Sequence, residues 1–252
     1  MTPRVSIVIP AFEEGERIIP VVERVFESVR LPSEVVVVVD REEDSTIPPV
    51  LEFAEKEPRL RLLVNTYGPG PANAIRFGID GALGPVAVVT MADGSDDARQ
   101  IDELVLLVER GVVVAAASRY MPGGQQVGGP PLKGFLSQLA GRSLHLLARV
   151  GTNDATNSFK AYSVDFVKRV GIDSRSGFEI GLELTSKARR ARLPVAEIPT
   201  IWLERTSGVS RFKVVKWIPK YLRWYLFAFG RPVDVEVMAA TARGFMAEAD
   251  ND

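Results

Sequence analysis

The stretch Val86-Ala87-Val88-Val89-Thr90-Met91-Ala92-Asp93-Gly94-Ser95-Asp96-Asp97 decides the fold, because an apolar run ends abruptly in acids. The run is continuous and β-branched rather than alternating, which indicates a buried strand of a parallel sheet. Ligands bind at the carboxyl ends of such strands. Clustered oxygen ligands at that place suit a hard cation such as Mg²⁺ or Mn²⁺. The alternative is a solvated turn in which Asp97 caps a helix predicted over residues 98–110.

The composition is that of a globular protein without thiol chemistry. The chain has 252 residues and a net charge of −1, which suits one main domain and provides no global field for nucleic acid. Because there is no cysteine, disulfides and thiolate zinc sites are excluded, which fits a reducing compartment. The single His145 cannot build a histidine metal cluster. Neither a leader peptide nor a bilayer-spanning stretch is expected.

The predicted elements alternate between strand and helix. This alternation predicts an α/β fold, a mostly parallel central sheet with helices on both faces. Pro199 interrupts the last strand and places it at a bend or an edge, and the Gly/Pro-rich residues 121–131 predict a mobile loop. The strands are expected at 5–9, 35–39, 60–64, 86–90, 112–117, 159–162 and 195–203, and the helices at 16–29, 48–57, 73–82, 98–110, 133–149, 179–192 and 214–229.

Two further strand ends bring polar groups to the same edge. Pro10-Ala11-Phe12-Glu13-Glu14 follows the first strand, and Phe12 is placed there where a base or a ribose can lie. Asp40 ends the second strand, where a carboxylate can accept from a nucleoside N–H or a ribose hydroxyl. Singly, each of these is equally a turn or a helix cap. Together with Asp93 they favour a nucleotide diphosphate bridged by a metal ion.

Two common phosphate-binding motifs are missing from the sequence. Dinucleotide binding needs G-x-G-x-x-G between the first strand and its helix, and residues 10–17 do not supply it. Gly68-Pro69-Gly70 follows the third strand, but proline removes N–H groups that a phosphate cradle uses. No Walker A pattern occurs. The diphosphate is therefore expected to be held by acids, metal and basic side chains.

An ordered set of motifs carries a resemblance to a known family. The set is Val5-Ser6-Ile7-Val8-Ile9-Pro10, Asp40, the Asp93 region, Ser118-Arg119-Tyr120, Gly177-Phe178-Glu179 and Arg205-Thr206-Ser207-Gly208-Val209-Ser210-Arg211. In this order the motifs resemble family 2 glycosyltransferases, in particular the polyprenyl-phosphate branch of the dolichol-phosphate mannose synthase type. The likeness covers roughly residues 4–231. It implies a GT-A fold, which is a nucleotide-sugar-binding α/β domain.

Carried over position by position, the resemblance implies the site residues. Asp93 matches the second acid of the D-x-D metal motif, whose first acid is replaced by Met91. Ser95 lies where some relatives place a further metal ligand, and Asp96 is an additional candidate. The implied catalytic residues are Asp93, Arg119, Arg205 and Arg211, of which the arginines surround the diphosphate and the acceptor phosphate. The implied substrate contacts are Pro10, Ala11, Phe12, Glu14, Asp40, Ala92, Asp93, Asp154 and Ser158.

The activity that the resemblance implies is transfer of a sugar with inversion. A mannose or glucose would pass from a nucleoside diphosphate sugar, GDP-mannose or UDP-glucose, to a polyprenyl phosphate, with Mg²⁺ or Mn²⁺ as cofactor; mannose is favoured by the resemblance alone. Two alternatives stay open. One is a family member with a soluble or glycan acceptor. The other, motivated by Met91 and by the absence of the family's usual lysine after Asn65, is a catalytically degenerate nucleotide-sugar-binding subunit.

The segment 214–229 predicts an amphipathic helix. Trp217, Tyr221 and Trp224 recur at spacings of four and three, and Lys220 and Arg223 lie between them. This pattern predicts a helix lying at a membrane interface; the alternative is that the aromatics are core and the bases a solvated rim. The expected organisation is a catalytic domain over 1–212, an interfacial helix over 213–232 and a tail over 233–252. The expected location is the cytoplasmic face of a membrane, with an anchoring partner subunit.

Overall fold

The computed structural model describes residues 2–129, 131–175, 177–204 and 214–238. Strands and helices alternate through most of this part of the chain, as the periodicity predicts. The strands are β1 Val5–Pro10, β2 Ser33–Val39, β3 Leu60–Val64, β4 Val86–Val89, β5 Val114–Ser118, β6 Gln125–Val127, β7 Lys160–Ser163, β8 Val195–Pro199 and β9 Ile201–Leu203. The helices are α1 Ile19–Ser28, α2 Ile47–Ala54, α3 Pro71–Asp80, α4 Ile101–Glu109, α5 Pro131–Ser143, α6 Val164–Val170, α7 Ile180–Arg190 and α8 Val214–Ala228.

Seven strands form the central sheet in the order β3-β2-β1-β4-β7-β5-β8. All neighbouring pairs are parallel except those of β7, which runs antiparallel between β4 and β5. The chain leaves β5 at its carboxyl end, forms α5 and enters β7 from that same edge, so β7 must run the opposite way. The prediction of a mostly parallel sheet is confirmed. The alternation of elements does not reveal the antiparallel direction of β7, nor does it predict α6, which follows β7 directly.

Two apolar layers cover the two faces of the sheet. Ile7 of β1 packs in one layer with Val22 of α1 and Leu104 of α4. Its neighbour Val8 packs in the other layer with Ile75 of α3 and with residues of α7. Because both faces are covered, successive residues are apolar in β4 and in Val35–Val39 of β2, and this is why these strands read as continuous valine-rich runs.

Gly78 sets the distance between α3 and the sheet. A Cβ at this position would lie 2.4 Å from Val8 Cγ1 and 3.0 Å from Val38 Cγ2. We expect Gly78→Ala to lower the free energy of unfolding by about 1–3 kcal/mol, because overpacking outweighs the ~1 kcal/mol that alanine adds in helix propensity. Denaturant unfolding measures the change. The double variant Gly78→Ala/Val8→Ala should recover part of the loss, whereas wild-type stability of Gly78→Ala alone would contradict the close approach.

The Gly/Pro-rich stretch after β5 is more ordered than its composition predicts. It contains β6, which pairs in parallel with β9 as a small second sheet. Pro199 ends β8 at the edge of the main sheet, and the chain then bends into β9, so the prediction of a strand interrupted at Pro199 is confirmed. The prediction of a mobile loop over 121–131 is wrong for β6, which is paired. The pairing could not be predicted locally, because the partner strand β9 lies more than seventy residues away in the sequence.

Helix α8 packs on α7 through its aromatic side. Trp224 is only 3 % exposed and lies in a cluster with Leu144 and Leu182. Its indole Nε1 donates to Ser174 Oγ at 3.0 Å, and the Tyr225 hydroxyl lies 2.9 Å from Ser143 Oγ. The prediction that the aromatic side faces a membrane is therefore wrong for Trp224. Trp217 lies outside the described side chains. Four large apolar side chains are exposed on α8 and just after its end: Ile218, Leu222, Leu226 and Phe229.

None of the described helices combines the length and the hydropathy that a bilayer crossing requires.

Candidate active site

The predicted site residues within the described chain lie at one edge of the sheet. The carboxyl ends of β1, β2 and β4 are neighbours, with Val8 paired to Val36 on one side and to Val89 on the other. Because β7 is antiparallel, its first residue Lys160 lies beside Val89 at this same edge and beside Ala116 of β5. The segments that follow β4 and β5 and the segment that precedes β7 therefore meet there. Arg205 and Arg211 lie outside the described residues.

The turn after β1 is fixed by backbone hydrogen bonds and leaves Phe12 exposed. Pro10 and Ala11 are buried, and Ala11 N donates to Val38 O at 2.8 Å. Glu14 N donates to Thr46 Oγ1 at 3.0 Å, and its carboxylate pairs with Arg17. Phe12 stays 45 % exposed, with the Arg41 guanidinium 5.3 Å from its ring centroid. The turn therefore offers an apolar ring against which a planar ligand can lie.

Asp44, in the loop between β2 and α2, supports this turn and was not predicted as a site residue. Its carboxylate accepts from Glu13 N at 3.1 and 3.2 Å and from Thr46 N at 2.9 Å. Glu13 has a left-handed backbone with φ of 54°, which a residue with a Cβ adopts only when its surroundings hold it. Asp44 thus stabilises a strained turn at the ligand edge. The Asp-Ser-Thr sequence signals only a local Asx turn.

Asp40 joins the end of β2 to the loop before α3. Its two carboxylate oxygens accept separately, one from Asn65 Nδ2 at 2.9 Å and the other from Gly70 N at 2.8 Å. A carboxylate oxygen has two acceptor positions, so these bonds leave room for a ligand donor. Asp40 therefore fixes the position of the glycine loop, and it remains able to accept from a nucleoside.

Asp93 and Asp96, two of the acids in the loop after β4, differ in burial. Asp93 is partly exposed, and its Oδ1 accepts from Ser95 N at 3.1 Å. Asp96 is buried and accepts from Thr90 Oγ1 and from Met91 N, both at 3.0 Å. Burial raises the pKa of Asp96 to about 6, and the neighbouring Asp93 charge acts in the same direction.

The helix-cap alternative for the acidic stretch is confirmed for Asp97, and the metal-binding interpretation of Asp93 stays a prediction. Asp97 caps the 3₁₀ turn Ala98–Gln100, where its side chain accepts from Arg99 N at 3.1 Å. Ala92 is buried, and the next residue, Asp93, is partly exposed in the loop that follows β4. The helix cap and the candidate metal acid are therefore separate carboxylates of one loop.

The donor set fits a cation that is bound together with a diphosphate. Among the described side chains no group of three or more histidine, cysteine or acidic residues is placed to hold a metal. Asp93 supplies one carboxylate, whereas Asp96 accepts from Thr90 and Met91 and Ser95 is buried. Mg²⁺ is commonly held in proteins by one or two carboxylates, with substrate phosphates and water completing the shell. Asp93 alone can serve in that way.

Arg119 and Asp154 form a buried bidentate pair. Arg119 Nε and Nη2 donate to the two carboxylate oxygens of Asp154 at 2.7 and 3.0 Å, and the backbone N–H of Arg119 adds a bond of 3.0 Å. The two side chains are 13 % and 0 % exposed. Burial opposes ionisation of Asp154, but the Arg119 guanidinium outweighs burial and lowers the pKa of Asp154. Asp154 therefore lies behind Arg119 and orients it, rather than reaching a ligand itself.

The remaining side of the Arg119 guanidinium faces α5 and the small sheet. Asp154 takes two of the five guanidinium N–H donors, and two of the remaining three point toward Gln126 Oε1 and Ser137 Oγ at 3.5 Å. Ser137 in turn lies 2.6 Å from Thr156 Oγ1. Ser137 was not predictable as a site residue, since a lone serine in a helix carries no signal until Arg119 is placed beside it.

Lys160 supports the segment that carries Asp154 and Ser158. It is fully buried, and its Nζ donates to the backbone oxygens of Asp154 and Ala155 at 3.3 and 3.2 Å and to that of Asn157. Burial lowers the pKa of Lys160 to about 7. Ser158 itself is partly exposed at the ligand edge. A lysine inside an apolar strand is the sequence signal that could have pointed to this support.

A mostly parallel α/β sheet that gathers Asp40, Asp93 and Arg119 at its carboxyl edge defines a nucleotide-sugar transferase domain of the GT-A fold. Residues 6–171 match the family model described as glycosyl transferase family 2, and the chain belongs to this family. The match covers every strand from β1 to β7 except the first residue of β1.

Comparisons with individual proteins agree with this assignment. The chain is 30 % identical over 234 residues to polyprenol monophosphomannose synthase of Mycolicibacterium smegmatis, covering 86 % of this chain and 87 % of the relative. Glucosyl-3-phosphoglycerate synthase from Mycobacterium tuberculosis, solved with Mn²⁺, UDP-glucose and phosphoglyceric acid, matches with a TM-score of 0.66 and 16 % identity over 92 % of this chain and 81 % of that one. A mannosyltransferase from Pyrobaculum calidifontis, in complex with GDP-Man and Mn²⁺, matches with a TM-score of 0.56 and 18 % identity over 100 % and 76 %.

Proposed function

We propose that this protein transfers a sugar, with inversion, from a nucleoside diphosphate sugar to a polyprenyl phosphate at a membrane surface. The observation that carries the proposal is the meeting of Asp40, Asp93 and Arg119 at one sheet edge, next to helices with an exposed apolar side. Mannose is the favoured sugar, since the Mycolicibacterium relative is named for that product. GDP-mannose is accordingly the first donor to test, with UDP-glucose as the second.

The donor end of the site is formed by β1, β2 and β4. Phe12 offers its ring to the nucleoside, and Asp40 accepts from a base N–H or a ribose hydroxyl. Asp93, with the buried Ala92 before it, faces the diphosphate and would hold Mg²⁺ or Mn²⁺ together with diphosphate oxygens. When bound, the cation neutralises charge on the leaving diphosphate. The prediction that Arg205 and Arg211 add positive charge here remains part of the proposal.

The reaction needs positioning more than it needs a base. A phosphate monoester is largely ionised at neutral pH, because its second pKa is about 6. Its oxygen attacks the anomeric carbon, a new C–O bond forms, and the bond to the nucleoside diphosphate breaks with the electron pair leaving on the diphosphate. Arg119 can orient the acceptor phosphate through its Nη1 and Nη2 N–H groups, whose bonds to Gln126 and Ser137 are long, at 3.5 Å, and can be exchanged for bonds to phosphate oxygens. Catalysis would then come from holding the acceptor phosphate and the donor diphosphate in line with the anomeric carbon, so that the bond can form and break along one axis.

An exposed apolar surface lies beside the acceptor end and supports the lipid part of the proposal. The side chains of α5, the π-helical turn Leu144–Ala148 and α8 that form it are between 41 % and 72 % exposed. The Ser143–Tyr225 contact holds the helices side by side. Such a surface is expected to lie on the acyl boundary of a bilayer. The apolar surface consists of Phe135, Leu136, Leu139, Leu146, Leu147, Ile218, Leu222, Leu226 and Phe229.

Removing part of the apolar surface should weaken membrane binding. Leu222 and Leu226 are 48 % and 60 % exposed, so Leu222→Gln/Leu226→Gln should fold normally. We expect at least about tenfold weaker binding to vesicles in flotation, because each leucine contributes on the order of 1 kcal/mol when it leaves water. The matched control is Leu51→Gln/Leu83→Gln, which changes leucines that are 51 % and 58 % exposed elsewhere. Equal binding of both variants would discard this surface.

A transfer assay tests the function as a whole. Purified full-length protein, Mn²⁺, and GDP-mannose or UDP-glucose are incubated with polyprenyl phosphate in vesicles, and lipid-linked sugar is sought by mass spectrometry. We expect mannosyl-phosphoryl-polyprenol. Donor binding in calorimetry without product from any acceptor would favour the degenerate subunit, and product from a soluble acceptor alone would favour the second alternative. The cytoplasmic face and an anchoring subunit are part of the proposal and need cell fractionation.

A further inference from the structure

A second candidate site lies beside the end of the π-helical turn Leu144–Ala148, and its lining does not include Arg119. A cavity of about 550 Å³ opens between the end of the π-helical turn Leu144–Ala148, the end of α7 and the chain after α8. Its walls combine apolar side chains with three arginines. The lining residues are Ala148, Arg149, Val150, Gly151, Arg189, Arg192, Leu193, Val195 and Pro232. No acid belongs to this lining.

In the part of the chain that the structure describes, the cavity arginines have no carboxylate partner. Within residues 2–129, 131–175, 177–204 and 214–238, none of Arg149, Arg189 and Arg192 forms an ion pair with a carboxylate. Arg189 is fixed by its bonds to Ala148 O at 2.8 Å and to Gly230 O at 2.5 Å. Arg149 and Arg192 are exposed at the rim. A concave site with three cations and no acid favours an anion.

The backbone at the two rim arginines is also unusual. The structure describes three non-glycine residues with positive φ, and two of them are Arg149 and Arg192, each with φ of 57°. Both follow helix ends, at the position where glycine avoids the steric penalty of the left-handed conformation. The packing therefore holds two strained residues so that their long cationic side chains lie at the same cavity. Strain of this kind clusters at ligand-binding positions.

The position of the cavity indicates which anion it suits. Leu146 and Leu147, 70 % and 72 % exposed, come just before Ala148, and Phe229, 41 % exposed, lies three residues before Pro232. The cavity thus adjoins the apolar surface, and its own walls are partly apolar. Guanidinium groups bind phosphate oxygens bidentately. We propose that Arg149, Arg189 and Arg192 bind the phosphate group of an anion at this cavity, separately from the transfer site.

The test compares charge removal at the cavity with equal charge removal elsewhere. Arg149→Asn/Arg192→Asn removes two charges, and asparagine tolerates the left-handed backbone. The control Arg30→Asn/Arg110→Asn removes two exposed arginines at other positions. A third variant, Arg149→Lys/Arg192→Lys, keeps the charge but lacks the planar guanidinium group that pairs bidentately with phosphate oxygens. Inorganic phosphate is titrated by calorimetry, and vesicles of phosphatidylglycerol in phosphatidylcholine are compared with phosphatidylcholine alone.

We expect Arg149→Asn/Arg192→Asn to bind at least about tenfold more weakly than the control in one or both arms, with the lysine variant between them. Loss only with phosphatidylglycerol vesicles identifies a lipid headgroup, and loss also with inorganic phosphate identifies a free phosphate site. Wild-type protein that binds neither probe overturns the proposal, as does equal binding by the asparagine variant and the control. The transfer assay on the same variants is independent, since none of these residues lies at the sheet edge of Asp93.

Discussion

Asp93→Ala should slow sugar transfer by at least about a thousandfold, a loss of ~4 kcal/mol in transition-state stabilisation. Asp93 is the partly exposed acid of the loop after β4, whereas Asp96 is buried and accepts from Thr90 and Met91. Without Asp93 the cation keeps only diphosphate and water ligands, so its position is no longer fixed. The measurement is initial rate against Mn²⁺ concentration, together with calorimetric binding of the donor with and without Mn²⁺.

Two further variants make the Asp93 result specific. Asp97→Ala removes a carboxylate from the same loop, but that carboxylate caps the 3₁₀ turn and pairs with Arg99 at 2.7 Å, so stability should fall by about 1 kcal/mol with little change in rate. Met91→Asp places an acid two residues before Asp93, and half-maximal activity should then need less Mn²⁺. Turnover of Asp93→Ala within about threefold of wild type would refute the metal-binding assignment.

The sheet and the donor end of the site were predictable because they follow from local regularities. Buried parallel strands read as unbroken apolar runs, and Val35–Val39 is five valines followed by Asp40. The carboxyl ends of parallel strands share an edge, so Asp40 and Asp93 had to lie at the same edge, where only β1 separates their strands. What these rules leave open is the partner of each side chain. Asp40, predicted only as a ligand contact or a turn residue, proved to hold the Gly70 loop.

The features that escaped prediction depend on contacts between distant segments. The aromatic period of α8 fixes which residues share a face, but it says nothing about what that face touches, and α7 supplied the partner for Trp224. β7 resembles the other strands in sequence, and only the path of the chain through α5 makes it antiparallel. Arg119 and Asp154 are thirty-five residues apart, and their pairing converts a predicted ligand contact into a support.

The buried pair also gives the second large expected effect. Asp154→Ala leaves the Arg119 guanidinium without its partner at 13 % exposure, and we expect a loss of about 3–5 kcal/mol in the free energy of unfolding. Because such a variant is difficult to assay, Asp154→Asn is the variant for activity, since it keeps the volume and one acceptor. Arg119 should then be less well oriented, and transfer should slow by about ten- to a hundredfold with donor affinity unchanged. The matched control is Asp165→Asn, because Asp165 is 78 % exposed and lies 3.7 Å from Arg169.

A double-mutant cycle separates support from direct ligand contact. If Asp154 acts only through Arg119, then Arg119→Gln/Asp154→Asn should be no slower than Arg119→Gln alone, which we expect to lose at least about a hundredfold in rate. Rate losses that multiply would show that Asp154 contacts the substrate independently.

The dependence of stability on pH gives a further readout. The pKa of Asp154 is lowered in the folded protein, so Asp154 adds to the free energy of unfolding above its unfolded pKa of about 4. This contribution is lost as the pH falls through the folded pKa. In the Asp154→Asn variant the free energy of unfolding should fall less at acidic pH, because an amide does not titrate there.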